Sequence, residues 1–151
     1  MNTNRTRSIL THLILGIGAA GVLATGADHL YEYSANGFST VPTIGTLFLL
    51  NFIAATIVGV GLLLPLRRIA PRAADPVRSL LALSGIGIAV TSLVALWISE
   101  SSSLFGFTDY GFRPTIVSAI VAESIAIVAL SAYIVLARVR IPTPRTPLRG
   151  H

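Results

Sequence analysis

Four apolar runs, each close to twenty residues long, dominate this chain: about Ile9–Ala27, Pro42–Leu66, Ser79–Ser99 and Pro114–Ala137. A helix rises 1.5 Å per residue, so about twenty residues cross the ~30 Å hydrocarbon core of a bilayer. Inside lipid a backbone must satisfy its own hydrogen bonds, which makes runs of this kind helices rather than strands. The expected fold is all-α: a polytopic membrane protein whose residues 1–141 form a four-helix transmembrane bundle. Composition agrees. Only 11% of the 151 residues are charged, whereas a soluble domain carries roughly a quarter. So few charges cannot cover a soluble surface, and the lipid bilayer is the first partner expected.

Charge placement orients the spans. All eleven basic side chains are arginine, and lysine is absent; with the alanine excess, this points to a high-GC bacterial genome. Arg5 and Arg7 precede the first run. Arg67, Arg68, Arg72 and Arg78 lie between the second and third, and Arg138, Arg140, Arg145 and Arg149 follow the fourth. The other two connections carry Asp28, Glu32, Glu100 and Asp109, with Arg113 as their single base. The positive-inside rule places the arginine side, and both termini, in the cytoplasm of a plasma-membrane protein. Residues 142–151, rich in proline and arginine, read as a disordered cytoplasmic tail. Ala24-Thr25-Gly26 has the small residues of a signal-peptide cleavage site, but the first run is long for a signal and is taken as part of the fold.

Several chemistries are excluded or weak. With no cysteine there are no disulfides, thiolate metal sites or covalent haem attachment. The net charge of +5 and pI near 10.8 come from arginines at span ends, so nucleic acid is not an expected partner. His12 and His29 are seventeen residues apart, about 25 Å on one helix, too far to ligate one haem. No hydrolase triad order, phosphate loop or HExxH pattern is present. Neither a cofactor nor an enzymatic activity is expected.

Glu123 is the least comfortable residue. It sits near the middle of the fourth run, where a carboxylate is costly and usually functional. A shift of 72 residues aligns the two halves of the chain. Pro42-Thr43-Ile44 falls on Pro114-Thr115-Ile116, Arg68-Ile69 on Arg140-Ile141, Asp28 on Glu100, and Asn51 on Glu123. This suggests a parallel repeat of two helical hairpins. It also suggests that Asn51 and Glu123 form an intramembrane polar pair, hydrogen-bonded across the bundle. The pair serves either to glue the hairpins or to relay a proton or cation.

A second polar cluster sits at the acidic boundary: Asp28, His29, Glu32, Glu100, Asp109 and Arg113. His29 and Glu32 are three apart and share a helix face, as metal ligands can. The stronger expectation is a solvated rim without a metal. Tyrosines, phenylalanines and Trp97 at the same boundary suit an aromatic belt. Small residues recur at helical spacing, as in Gly16 and Ala20, Ala55 and Gly59, Gly85 and Ala89, and Ser118, Ala122 and Ala126. Helices in lipid pack through such faces, within the bundle or in a homo-oligomer.

The stretch His29-Leu-Tyr-Glu-Tyr33, with Phe38-Ser-Thr-Val-Pro-Thr-Ile-Gly-Thr-Leu-Phe-Leu-Leu-Asn51, resembles an uncharacterised group of actinobacterial four-span membrane proteins. That resemblance implies four spans and carries over no functional residue. Two functions are left. The first is a small non-enzymatic membrane protein acting as an interaction or accessory subunit of a membrane-protein partner. The alternative is a small transporter or ion-conducting protein using Glu123 and Asn51.

Overall fold

The computed structural model describes residues 3–106 and 113–138. Asp109 and the tail from residue 142 lie outside the described residues. The helices are α1 (Thr3–Ser34), α2 (Ile44–Leu63), α3 (Leu66–Ile69), α4 (Ala74–Ser101) and α5 (Pro114–Arg138), with a 3-10 turn at Phe38–Thr40 between α1 and α2. Four of them, α1, α2, α4 and α5, are long and apolar enough to cross a membrane. No strand occurs among the described residues. The chain is an all-helical, multi-pass membrane protein.

Proline sets several boundaries. Pro114 is the first residue of α5, where its missing N–H costs nothing. Pro42 has no such role. Its carbonyl accepts a 2.7 Å hydrogen bond from the Ile44 N–H, closing a tight turn around Thr43, whose φ is 68° and ψ −57°. These are the dihedrals of a γ-turn, rare and strained at a β-branched residue. The second transmembrane helix therefore starts at Ile44, two residues later than its apolar run. It stops at Leu63 because Leu64 precedes Pro65 and is extended (φ −63°, ψ 144°), as a residue before proline prefers.

The bundle is a square. α1 packs along α2 and α5, and α4 packs along the same two helices. α1 and α4 touch only lightly across one diagonal, and α2 and α5 do not touch across the other among the described residues. The tight core fills the arginine-rich half. There Leu15, Val22, Leu62, Ala82 and Leu130 are almost fully buried. Leu13, Ile57, Leu80 and Val128 are more than half exposed, as lipid-facing side chains should be.

Close approach depends on a few glycines. A Cβ on Gly21 would lie 2.9 Å from the Ala126 backbone nitrogen and 3.0 Å from the Ala122 carbonyl oxygen. One on Gly26 would lie 3.0 Å from the Ala55 Cβ. Ala55 and Gly59, Gly85 and Ala89, and Ala122 and Ala126 are buried as expected, whereas Ser118, in series with the last two, is exposed. Gly16 and Ala20 are not the packing face of α1: nothing lies within 4 Å of a Cβ on Gly16, and Ala20 is exposed. Gly18 and Gly21 take that role instead.

The arginine-rich end is tied together by its own side chains. Arg7 donates to the Leu136 carbonyl at 2.8 Å, capping the last turn of α5 with a cation where the helix dipole favours one. Arg67 pairs with Asp75 at 3.3 Å on the exposed surface, an arrangement that contributes at most about 1 kcal/mol.

Candidate functional site

α1 does not stop where its apolar run stops. It continues to Ser34, so Asp28, His29 and Glu32 are carried on a helix and aim into the acidic half of the bundle. There the four helices surround a cavity of about 210 Å³. Its walls are Asp28, His29 and Glu32 from α1, Phe48 and Asn51 from α2, Thr91, Ser92 and Ser99 from α4, and Thr115 and Glu123 from α5. Most of the remaining lining is apolar, including Ile44, Leu47, Leu96 and Ile116.

The rim is built from charge and aromatic contacts. Arg113 lies 3.6 Å from the Glu32 carboxylate, and its guanidinium sits 5.6 Å from the centre of the Phe38 ring. Phe38 packs against Phe48 with ring centres 5.1 Å apart and planes tilted by 59°, and Phe48 meets the His29 ring edge-on at 5.2 Å. Gly37, at φ 80°, turns the chain into the short helix that presents Phe38. Gly45 has no room for a Cβ because the Phe38 carbonyl occupies that space. The turn is thus clamped against the start of α2.

Below the rim, His29 is fixed at both ring nitrogens. Nδ1 lies 2.8 Å from the Thr25 carbonyl. A carbonyl only accepts, so Nδ1 carries the proton and donates. In the neutral ring Nε2 is then an acceptor, and the Ser92 hydroxyl donates to it at 3.1 Å. This bond ties α1 to α4 across the light diagonal. The expected solvated rim does not describe His29, which is half-buried and held inside the wall. Asp28 accepts a hydrogen bond from Ser118 at 3.1 Å, linking α1 to α5.

Glu123 forms the floor. It is nine residues into α5, about 14 Å along the helix axis, and its side chain is 1% exposed. Neither carboxyl oxygen forms a hydrogen bond of good geometry among the described residues, although the Ser92 hydroxyl is near enough to interact with the carboxyl group. Oδ1 of Asn51 is likewise unbonded among the described residues. The direct bond expected between Asn51 and Glu123 is therefore not formed. The square explains this: α2 and α5 stand at opposite corners, and the cavity lies between them. Both side chains do line that cavity.

Of the polar cluster expected at the acidic boundary, Asp28, His29, Glu32 and Arg113 line the cavity, while Glu100, on the last turn of α4, is not part of its wall. Asp109 is outside the described residues. No three His, Asp or Glu side chains among the described residues converge as a metal ion would need. Sequence reasoning did not find the roles of Phe38, Phe48 and Thr115. The adjacent hydroxyls Thr91 and Ser92, in the middle of an apolar run, were the available signal for the α4 wall.

The arrangement presents unmet acceptor oxygens at the bottom of a mostly apolar pocket. A buried acceptor without a partner costs about 1–3 kcal/mol, more when charged. An ionised carboxylate there calls for a cation. No known protein family, curated protein or solved structure matches this chain, so its function is argued from this site.

Proposed function

We propose that the chain is a small transporter that takes up a cation-bearing solute at Glu123 from the acidic end of the bundle. The observation that supports this most is Glu123 itself: almost wholly buried, at mid-depth, facing a cavity, with neither oxygen in a well-formed hydrogen bond and only the Ser92 hydroxyl close by among the described residues. A purely structural glue would leave those oxygens bonded. A binding site near the bilayer midplane, between helices related by an internal repeat, is how many secondary transporters are organised. A duplication of two hairpins generates this square, with α1 and α4 on one diagonal and α2 and α5 on the other. The close-packed core of the arginine-rich half then forms the closed side.

Methylammonium is the simplest probe. Vesicles reconstituted with the full chain should accumulate it, in neutral to slightly alkaline buffer where the amine is still protonated, severalfold above protein-free vesicles. Accumulation no greater than in protein-free vesicles would overturn the transport reading.

The arginine distribution further supports a reading in which both termini and the Arg67–Arg78 connection are cytoplasmic and the cavity faces the cell exterior across the plasma membrane. The chain has no native cysteine, so single cysteines can report topology cleanly. A membrane-impermeant maleimide added outside cells should label Ser34→Cys and Ser102→Cys and spare Ala73→Cys. The opposite pattern would reverse the orientation.

A further inference from the structure

The seams around the cavity are not equally tight. α1 closes on α5 through Gly21 and on α2 through Gly26. On the α2–α4 seam, glycine contacts occur in the arginine-rich half, where Gly61 meets Leu81 and Gly85 meets Val58. Continuing that antiparallel register brings Asn51 opposite Thr91 and Leu47 opposite Ala95. These residues line the cavity, yet Leu47 is 42% exposed and Thr91 is exposed as well. Side chains that both wall a cavity and face outward mark an opening. This one, between α2 and α4, faces the hydrocarbon of the membrane.

Two further features describe what would pass through it. The cavity, about 210 Å³, is only modestly larger than the roughly 150 Å³ apolar cavity that accommodates a benzene ring. A polar head and a few carbons fill it, so a longer tail must remain in the opening. At its floor the acceptors Glu123 Oε1, Glu123 Oε2 and Asn51 Oδ1 lack well-formed hydrogen bonds among the described residues. A primary ammonium presents three N–H donors and no acceptor, as the lysine head group does, and so matches this demand. The guanidinium of Arg113 sits at the rim, paired with Glu32, and does not occupy the floor.

We propose that the solute is an amphiphilic primary amine that enters sideways from the lipid through the α2–α4 opening, its ammonium seated at Glu123 and Asn51 and its tail left between the helices. This rests on the transport reading above, because it assigns the chemistry of the same site. The test uses the full chain in lipid nanodiscs, with n-octylamine, n-butylamine and 1-octanol as probes and protein-free discs subtracted.

Octylamine should bind at least tenfold more tightly than butylamine or octanol. Leu47→Trp, which fills the opening from a lipid-facing position, should weaken octylamine at least tenfold. Butylamine, which has little tail to place there, should be weakened at least threefold less than octylamine. Equal weakening of both amines would mean that Leu47 acts only as part of the cavity wall and would overturn the sideways route. Equal affinities for octylamine and butylamine, with Leu47→Trp affecting neither, would overturn the sideways route while leaving the cation site standing. Octanol binding as tightly as octylamine would overturn the ammonium assignment. Absence of binding by either amine to the unmodified protein would remove this inference and the cation site together.

Discussion

Glu123→Gln should reduce methylammonium uptake by roughly thirtyfold or more while the melting temperature stays nearly constant. Glutamine keeps the length and shape of the side chain and one acceptor oxygen, but it cannot neutralise a cation. Removing one partner of a desolvated charge pair costs about 2–5 kcal/mol, and each 1.4 kcal/mol is about tenfold in affinity. The fold should change little, because no well-formed hydrogen bond among the described residues is lost and glutamine can still meet the nearby Ser92 hydroxyl. Glu123→Leu sharpens the contrast. If the acid held the hairpins together, leucine would destabilise them. With neither oxygen in a well-formed hydrogen bond, exchanging the acid for an apolar side chain of similar size should be neutral or stabilising. Thermal unfolding of both variants, read beside uptake, separates the two roles. A destabilised Glu123→Leu together with an active Glu123→Gln would assign Glu123 to structure.

The reach of the sequence, and its limit, both show at this residue. Its depth was legible, because a charged residue in the middle of an apolar run of known length can only sit near the middle of the membrane. Its supposed partner was not. The 72-residue shift matches Asn51 with Glu123 in depth, which predicts a direct contact. α2 and α5 instead stand at opposite corners of the square, and Asn51 and Glu123 line the cavity between them. Apolar periodicity also ended the first span near Ala27, whereas α1 continues to Ser34. Hydropathy reports where lipid contact ends, not where backbone hydrogen bonding ends. That extension joins Asp28, His29 and Glu32 to Glu123 in one site, although the sequence presents them as a surface rim and a separate buried acid. The cavity itself had no signature in the chain, since it is a space left by four helices and not a property of any one of them.

The packing face of α1 gives the other large expected effect. Gly21→Ala should lower stability by about 1–3 kcal/mol, the usual range for overpacking a tight interior, whereas Gly16→Ala should be nearly silent. Both residues look alike in the sequence, as small residues in an apolar helix. They differ in what a methyl group would meet. At Gly21 the obstacles are the Ala126 nitrogen at 2.9 Å and the Ala122 carbonyl at 3.0 Å. Backbone atoms cannot rotate away as a side chain does, so α1 and α5 must separate along their length. At Gly16 nothing lies within 4 Å, and alanine adds helix propensity at a lipid-facing position. The disturbance at Gly21 also reaches the site, because Ala122 precedes Glu123 on α5 and the seam forms one wall of the cavity. Gly21→Ala should therefore weaken methylammonium uptake as well as stability, while Gly16→Ala changes neither. Melting temperatures in detergent and uptake in vesicles measure both. Equal effects at the two positions would mean that α1 does not present Gly21 to α5, and the square packing that creates the cavity would have to be redrawn.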